Sequence, residues 1–166
     1  FYTNRARELA TFVAPYCVDI ESVLDLGSGE ISMFSRLLAA LKSRNIRKAY
    51  ASDISWSRLN IGVEATKNIV PKNNNLTVFV SEMAKIPLPS KSIDLTFTDH
   101  SLEPNGSRLE EIIKEIFRCT KSVCIFTEPC NELASIEAIE RMKQLGYIFN
   151  LEEMIKKLGG CILDRK

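Results

Sequence analysis

The stretch that most constrains this chain is 22–38, which reads SVLDLGSGEISMFSRLL. Two glycines break its apolar start, and apolar residues then recur at helical spacing, which predicts a buried strand, a glycine turn and a helix. Such a turn lets a ligand approach the main chain, and the helix start offers unpaired N–H groups. Asp25, just before the turn, would repel a diphosphate, so a ligand with an ammonium or hydroxyl group suits it better.

A second acid ends the next predicted strand. Asp53 lies at the end of the short apolar run 48–54, 24 positions after Gly29. A carboxylate there can accept hydrogen bonds from both hydroxyls of a ribose. Ile54 and Trp56 follow Asp53 closely, and one or the other is expected to lie against a base. Ser55 is predicted to cap the helix that comes next.

The first stretch resembles the first motif of the class I S-adenosylmethionine-dependent methyltransferases, an acid followed by three glycines at alternate positions. Asp25, Gly27 and Gly29 match it, and Ile31 replaces the third glycine. The resemblance continues after the third predicted strand, 76–80, and implies that the cofactor is S-adenosylmethionine. It implies cofactor contacts from Asp25, Gly27, Ser28, Gly29, Asp53, Ile54, Glu82, Met83 and Asp99.

The fourth predicted strand, 93–98, ends in Asp99 and His100. Ligands collect at the carboxyl ends of strands in open parallel sheets, so both side chains are expected to face the same crevice as the glycine turn. Histidine ordinarily titrates near neutral pH, which suits a general base acting on a hydroxyl or amine. Asp99 and His100 are therefore the candidate catalytic residues. Glu128, after the fifth strand, either points into this crevice or caps the next helix.

Alternating strands and helices predict one α/β domain over 1–166, a three-layer α/β/α sandwich with a mostly parallel, doubly wound sheet. A sixth strand is expected to begin at 161–163. The family's last antiparallel strand is expected to be missing or to lie beyond this sequence. The chain begins with Phe1 rather than Met, which suggests a fragment.

Composition narrows the function classes. The 22 basic and 21 acidic residues are balanced, so no nucleic-acid partner is expected. No apolar run is long enough to span a bilayer and no signal peptide is recognisable, which predicts a cytoplasmic protein with no membrane partner. Five cysteines and one histidine show no spacing typical of a metal site, and none is expected.

The resemblance implies methyl transfer to a small polar acceptor. An NAD(P)-dependent oxidoreductase is the first alternative, because Gly27, Gly29 and Asp53 also fit part of its fingerprint, although Ser32 replaces its third glycine. The second alternative is a methyltransferase-like binding domain without turnover, which Ile31 and the missing last strand leave open.

Overall fold

A computed structural model describes residues 2–41, 45–131 and 134–165. Its centre is a parallel sheet with the strand order β3-β2-β1-β4-β5. The strands are β1 (Ser22–Leu26), β2 (Lys48–Asp53), β3 (Asn75–Val80), β4 (Ile93–Asp99) and β5 (Thr120–Thr127). The chain runs outward from β1 to β3 and then returns to β4 on the other side of β1. All carboxyl ends therefore lie along one edge, and the order reverses between β1 and β4, where ligands bind in such sheets.

Within these described ranges, six α-helices and two 3-10 helices accompany the strands. They are α1 (Tyr2–Val13), α2 (Ser32–Ala40), α3 (Trp56–Thr66), α4 (Leu109–Cys119), α5 (Ile136–Leu145) and α6 (Leu151–Lys157), with 3-10 helices at Ala14–Tyr16 and Glu103–Arg108. Ser55 caps α3 as predicted, because its hydroxyl accepts a hydrogen bond from the Arg58 amide at 3.4 Å. None of the described helices combines the length and apolar character needed to cross a membrane.

Two hydrophobic clusters lie between the layers, one on each face of the sheet. Val23 faces the cluster formed with α1, α2 and α3, whereas Leu24 and Leu26 face the cluster formed with α4 and α6. This division follows from the alternation of side chains along a strand. Both faces of β1 are covered, which explains why its residues are buried throughout. The predicted three-layer, doubly wound α/β architecture is confirmed.

The predicted start of a sixth strand at 161–163 is wrong. In the described part of the chain this segment has no regular structure, and β5 is hydrogen-bonded to β4 alone. The segment is held by side chains instead, since the Tyr16 hydroxyl donates to an Asp164 carboxylate oxygen at 3.0 Å. A short apolar run thus predicted strand propensity, but no ladder forms there.

Candidate active site

The glycine turn joins the ends of β1 and β2. Gly27 and Gly29 have φ of +82° and +53°, a region in which residues with a Cβ are strained. The amides of Gly27 and Ser28 donate to the Ser52 carbonyl at 2.8 and 2.9 Å. The turn is therefore fixed at the carboxyl edge of the sheet.

Ile31 keeps the left-handed backbone that its position requires. Its φ is +59°, although it is not a glycine. Its side chain is fully buried in the core beneath α1, α2 and α3. Burial of a large aliphatic side chain stabilises by about 1.5–3 kcal/mol, enough to offset a strain of about 1–2 kcal/mol. Burial of Ile31 thus accommodates the departure from the glycine pattern.

Asp25 is buried beneath this turn, and the Ser28 hydroxyl donates to its carboxylate. Burial raises the pKa of Asp25 to about 8, against the opposing effect of the Ser28 hydrogen bond. The charges of Asp99, Asp53 and Glu128 push the pKa in the same direction as burial. Acids from four strands therefore act on one another at this edge.

Asp53 connects the glycine turn to the start of α3. Its carboxylate accepts hydrogen bonds from the Gly29 amide at 2.9 Å and the Ser55 amide at 2.8 Å. The Arg58 guanidinium lies 4.0 Å from the same carboxylate and pairs with Glu30. Asp25 and Asp53 thus stand on neighbouring strands beside one turn, as the sequence predicts.

The ends of β2 and β3 contribute an apolar margin. Ile54 is 73% exposed just beyond Asp53. Met83 reaches back over the turn, since a Cβ built on Gly27 would lie 2.6 Å from its Cε. Glu82 is exposed and pairs with Arg108 at 3.3 Å. Met83 is therefore brought to the turn, whereas Glu82 faces the surface.

The end of β4 is held from outside the sheet. Arg5 on α1 forms an ion pair with Asp99. Burial raises the pKa of Asp99, while the positive charge of Arg5 opposes that change. Sequence reasoning missed Arg5, because it precedes Asp99 by 94 residues and belongs to no motif.

His100 follows with a left-handed backbone, at φ +51°. Its Nδ1 is hydrogen-bonded to the Glu103 carboxylate, and its ring is 53% exposed. Its amide donates to the Thr127 carbonyl at 3.0 Å. Glu103 was also missed, although its spacing of three residues from a histidine at a strand end is a usable signal.

Glu128 stabilises the turn after β4 through hydrogen bonds and does not cap a later helix. Its two carboxylate oxygens accept from the amides of Ser101 and Leu102, both at 3.2 Å. Burial raises its pKa to about 7. The Ser101 hydroxyl donates to the Leu26 carbonyl at 2.7 Å, so the turn after β4 lies directly against the glycine turn.

The resulting edge is rich in carboxylates that approach one another. This arrangement favours a cationic ligand, since a positive charge relieves their mutual repulsion. Within the described residues, no group of three or more His, Cys, Asp or Glu side chains is arranged to hold a metal ion.

A glycine turn and paired acids at the switch point of a doubly wound sheet agree with the first motif of the class I methyltransferases. The model of the family described as "Methyltransferase domain" matches residues 24–126. The match covers more than half of the chain, which therefore belongs to this family. The family match confirms the predicted resemblance and its cofactor, S-adenosylmethionine. No curated protein sequence matches the chain significantly.

Solved structures agree on the fold. A Galdieria sulphuraria protein assigned as a sarcosine dimethylglycine methyltransferase has a TM-score of 0.72 at 17% identity, covering 93% of this chain and 61% of that one. Magnesium protoporphyrin IX methyltransferase from Synechocystis PCC 6803, with bound S-adenosylhomocysteine, has a TM-score of 0.70 at 14% sequence identity. The alignment covers 94% of this chain and 70% of that one.

A third similar structure is phosphoethanolamine N-methyltransferase 2 from Haemonchus contortus, in complex with phosphomonomethylethanolamine and S-adenosylhomocysteine. Its TM-score is 0.67 at 18% identity, and the alignment covers 92% of this chain and 36% of that one. The chain therefore spans about three fifths of the Galdieria protein, at 61%, and a smaller share of the Haemonchus protein.

Proposed function

We propose that this chain transfers a methyl group from S-adenosylmethionine to a small polar acceptor. The observation that carries the proposal is the meeting of Asp25, Asp53 and Asp99 beside the glycine turn. The cofactor's sulfonium makes its methyl group electrophilic, and both the sulfonium and its ammonium group carry positive charge. Carboxylates on three neighbouring strands supply the complementary field.

The residues present fit this cofactor. A Cβ on Gly27 would lie 2.6 Å from Met83 Cε and 2.9 Å from Ser101 Oγ, so glycine is required here for these two side chains to approach the turn that would contact the cofactor. The proposed contacts follow from position: the glycine turn and acids toward the amino-acid end, Asp53 toward the ribose, and the β3 margin toward the adenine. They are Asp25, Gly27, Ser28, Gly29, Asp53, Ile54, Glu82, Met83 and Asp99.

The chain's own contribution to the reaction is alignment and proton removal. Rigid hydrogen bonds hold the two turns together, and a pre-ordered site lowers the entropic cost of bringing reactants into line. Asp99 and His100 remain the proposed catalytic residues. His100 is the stronger candidate for a base, because Arg5 already pairs with the Asp99 carboxylate.

A small polar acceptor is favoured by the polar groups that follow β4 and β5. Asp99, His100, Asn105 and Glu128 all lie there, and Asn105 donates to the Ser101 carbonyl at 3.2 Å. The names of the Galdieria and Haemonchus proteins also refer to small polar molecules. We therefore expect no nucleic-acid acceptor.

Calorimetric titration with S-adenosylhomocysteine and, separately, with NADH tests the cofactor. We expect S-adenosylhomocysteine to bind and NADH not to bind; the reverse would favour the oxidoreductase. The D19N variant changes an exposed acid and should bind S-adenosylhomocysteine as tightly as the parent chain. The D53N variant should bind it more weakly.

Turnover is tested by incubating the chain with methyl-labelled S-adenosylmethionine and a small-molecule cell extract. We expect label in a low-molecular-weight polar product. Binding without any label transfer would support the binding domain that lacks turnover and would contradict the proposed activity.

A further inference from the structure

We propose that Glu103 is a positioning residue that fixes the tautomer of His100, so that Nε2 accepts the proton of a hydroxyl acceptor. The inference rests on the proposed methyltransferase function and deepens it by naming the acceptor group. It is carried by the hydrogen bond between His100 Nδ1 and Glu103, together with the rigid turn that presents the ring.

The hydrogen bond settles which nitrogen can act as a base. An ionised carboxylate only accepts hydrogen bonds, so the His100 Nδ1 that contacts Glu103 must carry a proton. In the neutral ring the lone pair then lies on Nε2. The Glu103 side chain is only 13% exposed, whereas the imidazole is half-exposed. Among the described residues, no hydrogen-bond partner of Nε2 is found.

The backbone around His100 is held from several sides. Its positive φ is unusual for a residue with a Cβ, and such strain persists only where surrounding contacts enforce it. The Thr127 carbonyl accepts its amide, and Glu128 accepts the two amides that follow. The ring is therefore presented from a turn with little freedom to relax.

This turn lies next to the glycine turn, where the amino-acid end of the cofactor is proposed to bind. Ser101, the neighbour of His100, contacts the glycine turn through its hydroxyl at Leu26 and through its packing against Gly27. The other acid of this region, Asp99, is paired with Arg5. His100, whose ring is half-exposed, is thus the remaining candidate base here.

A dedicated base favours a hydroxyl acceptor over an amine. A neutral amine attacks with its own lone pair and can lose its proton afterwards, whereas an alcohol is a weak nucleophile until its proton is removed. The acceptor oxygen gives its proton to Nε2, keeps the O–H electron pair and uses it for the new bond to carbon, while the carbon–sulfur pair stays on sulfur. The imidazolium formed is stabilised by Glu103 until solvent takes the proton.

The chain contains one histidine, so its ring nitrogens can be assigned without ambiguity. We would record long-range proton–nitrogen correlation spectra of the full chain saturated with S-adenosylhomocysteine, in buffer alkaline enough to keep the ring neutral. We expect the Nδ1–H tautomer in the parent chain. In E103A the ring should change to the Nε2–H tautomer that free imidazole side chains favour in water, whereas E103Q should retain Nδ1–H through its amide oxygen.

Activity is measured in parallel with labelled S-adenosylmethionine and the same cell extract. We expect H100Q to lose about 100-fold or more and E103A about 10-fold or more, with E103Q between E103A and the parent. The matched control E64Q removes an exposed acid on α3 that pairs with Lys67 and should change neither measurement. The labelled product should be a methyl ether, stable to base.

Three results would overturn the inference: an Nε2–H tautomer in the parent chain, an unchanged tautomer in E103A, or label found on nitrogen. Each can occur while S-adenosylhomocysteine still binds, in which case the proposed function survives. Failure of the parent chain to bind S-adenosylhomocysteine would refute the proposed function itself.

Discussion

The carboxyl edge of the sheet has two halves that are built differently. On the β1–β2 side, Asp53 is held by the amides of Gly29 and Ser55. On the β4–β5 side, Asp99 is held by an arginine from α1, and Glu128 reaches across to the turn after β4. The first half depends mainly on main-chain groups next to the strand ends, and the second on side chains brought from elsewhere.

The two halves are therefore expected to respond differently to mutation. Main-chain donors do not change with the sequence, so the glycine turn can hold the same ligand group while surrounding residues vary. Side-chain partners such as Arg5 and Glu103 can be exchanged individually. We therefore expect mutations in the first half to affect folding and cofactor binding, and mutations in the second to affect the chemical step.

The largest expected effect comes from G27A. A Cβ there would lie 2.6 Å from Met83 Cε and closer still to Ser101 Cβ, with φ at +82°, so strain and overpacking together should cost about 3 kcal/mol of unfolding free energy. G146A is the matched control, because its φ is +66° with no atom within 4 Å, and strain alone should cost about 1 kcal/mol. Urea denaturation measures both, and equal losses would show that the close approach at Gly27 is unimportant.

D53N tests the β1–β2 half of the edge by its effect on cofactor binding. The change removes the charge that holds two amides and, in the proposed function, the ribose. We expect affinity for S-adenosylhomocysteine to fall by about 100-fold, or about 2.7 kcal/mol, measured by calorimetry against D19N. A fall as large in H100Q would remove the distinction between the halves.

The buried acids predict how stability depends on pH. Burial raises the pKa of Asp25 from 3.8 to about 8, so between these values the unfolded chain binds fewer protons than the folded one. Stability should therefore fall as pH rises through this window, and Glu128, raised to about 7, adds to the trend. Relative to the parent, D25N should gain stability by up to about 1.4 kcal/mol for each pH unit through the window, starting from equal stability at the lower end. Denaturation at several pH values measures this, and parallel curves would contradict it.

The fold was largely predictable because its signals are local. The glycine turn, the Ser55 cap and the acid that ends β2 each follow from a few adjacent residues. The sixth strand was wrongly predicted because 161–163 has a suitable composition, but strand formation also needs a partner at the sheet edge. Composition alone carries no information about such a partner.

The candidate site divides in the same way. The sequence predicted that Asp25 and Asp53 would lie beside one turn, because strand order and spacing determine where they fall. It did not predict that Arg5 pairs with Asp99, since that contact joins residues 94 positions apart. Nor did it predict that Glu128 would support the turn that carries His100, because that contact depends on how β5 is aligned with β4.

R5Q removes the side chain that holds Asp99 in the second half, and it should change stability least. The ion pair between Arg5 and Asp99 is partly exposed, with 26% and 13% of the two side chains accessible, so its loss should cost only about 0.5–1 kcal/mol of stability. R7Q, on an exposed position of the same helix, should cost less. Because Asp99 would then lose the positive charge that opposes the rise in its pKa, the sulfonium of S-adenosylmethionine can replace that charge. Affinity for S-adenosylmethionine should therefore rise relative to affinity for S-adenosylhomocysteine, which lacks the sulfonium charge. Calorimetry with both compounds measures that ratio, and an unchanged ratio would mean that the charge of Asp99 does not act on the sulfonium.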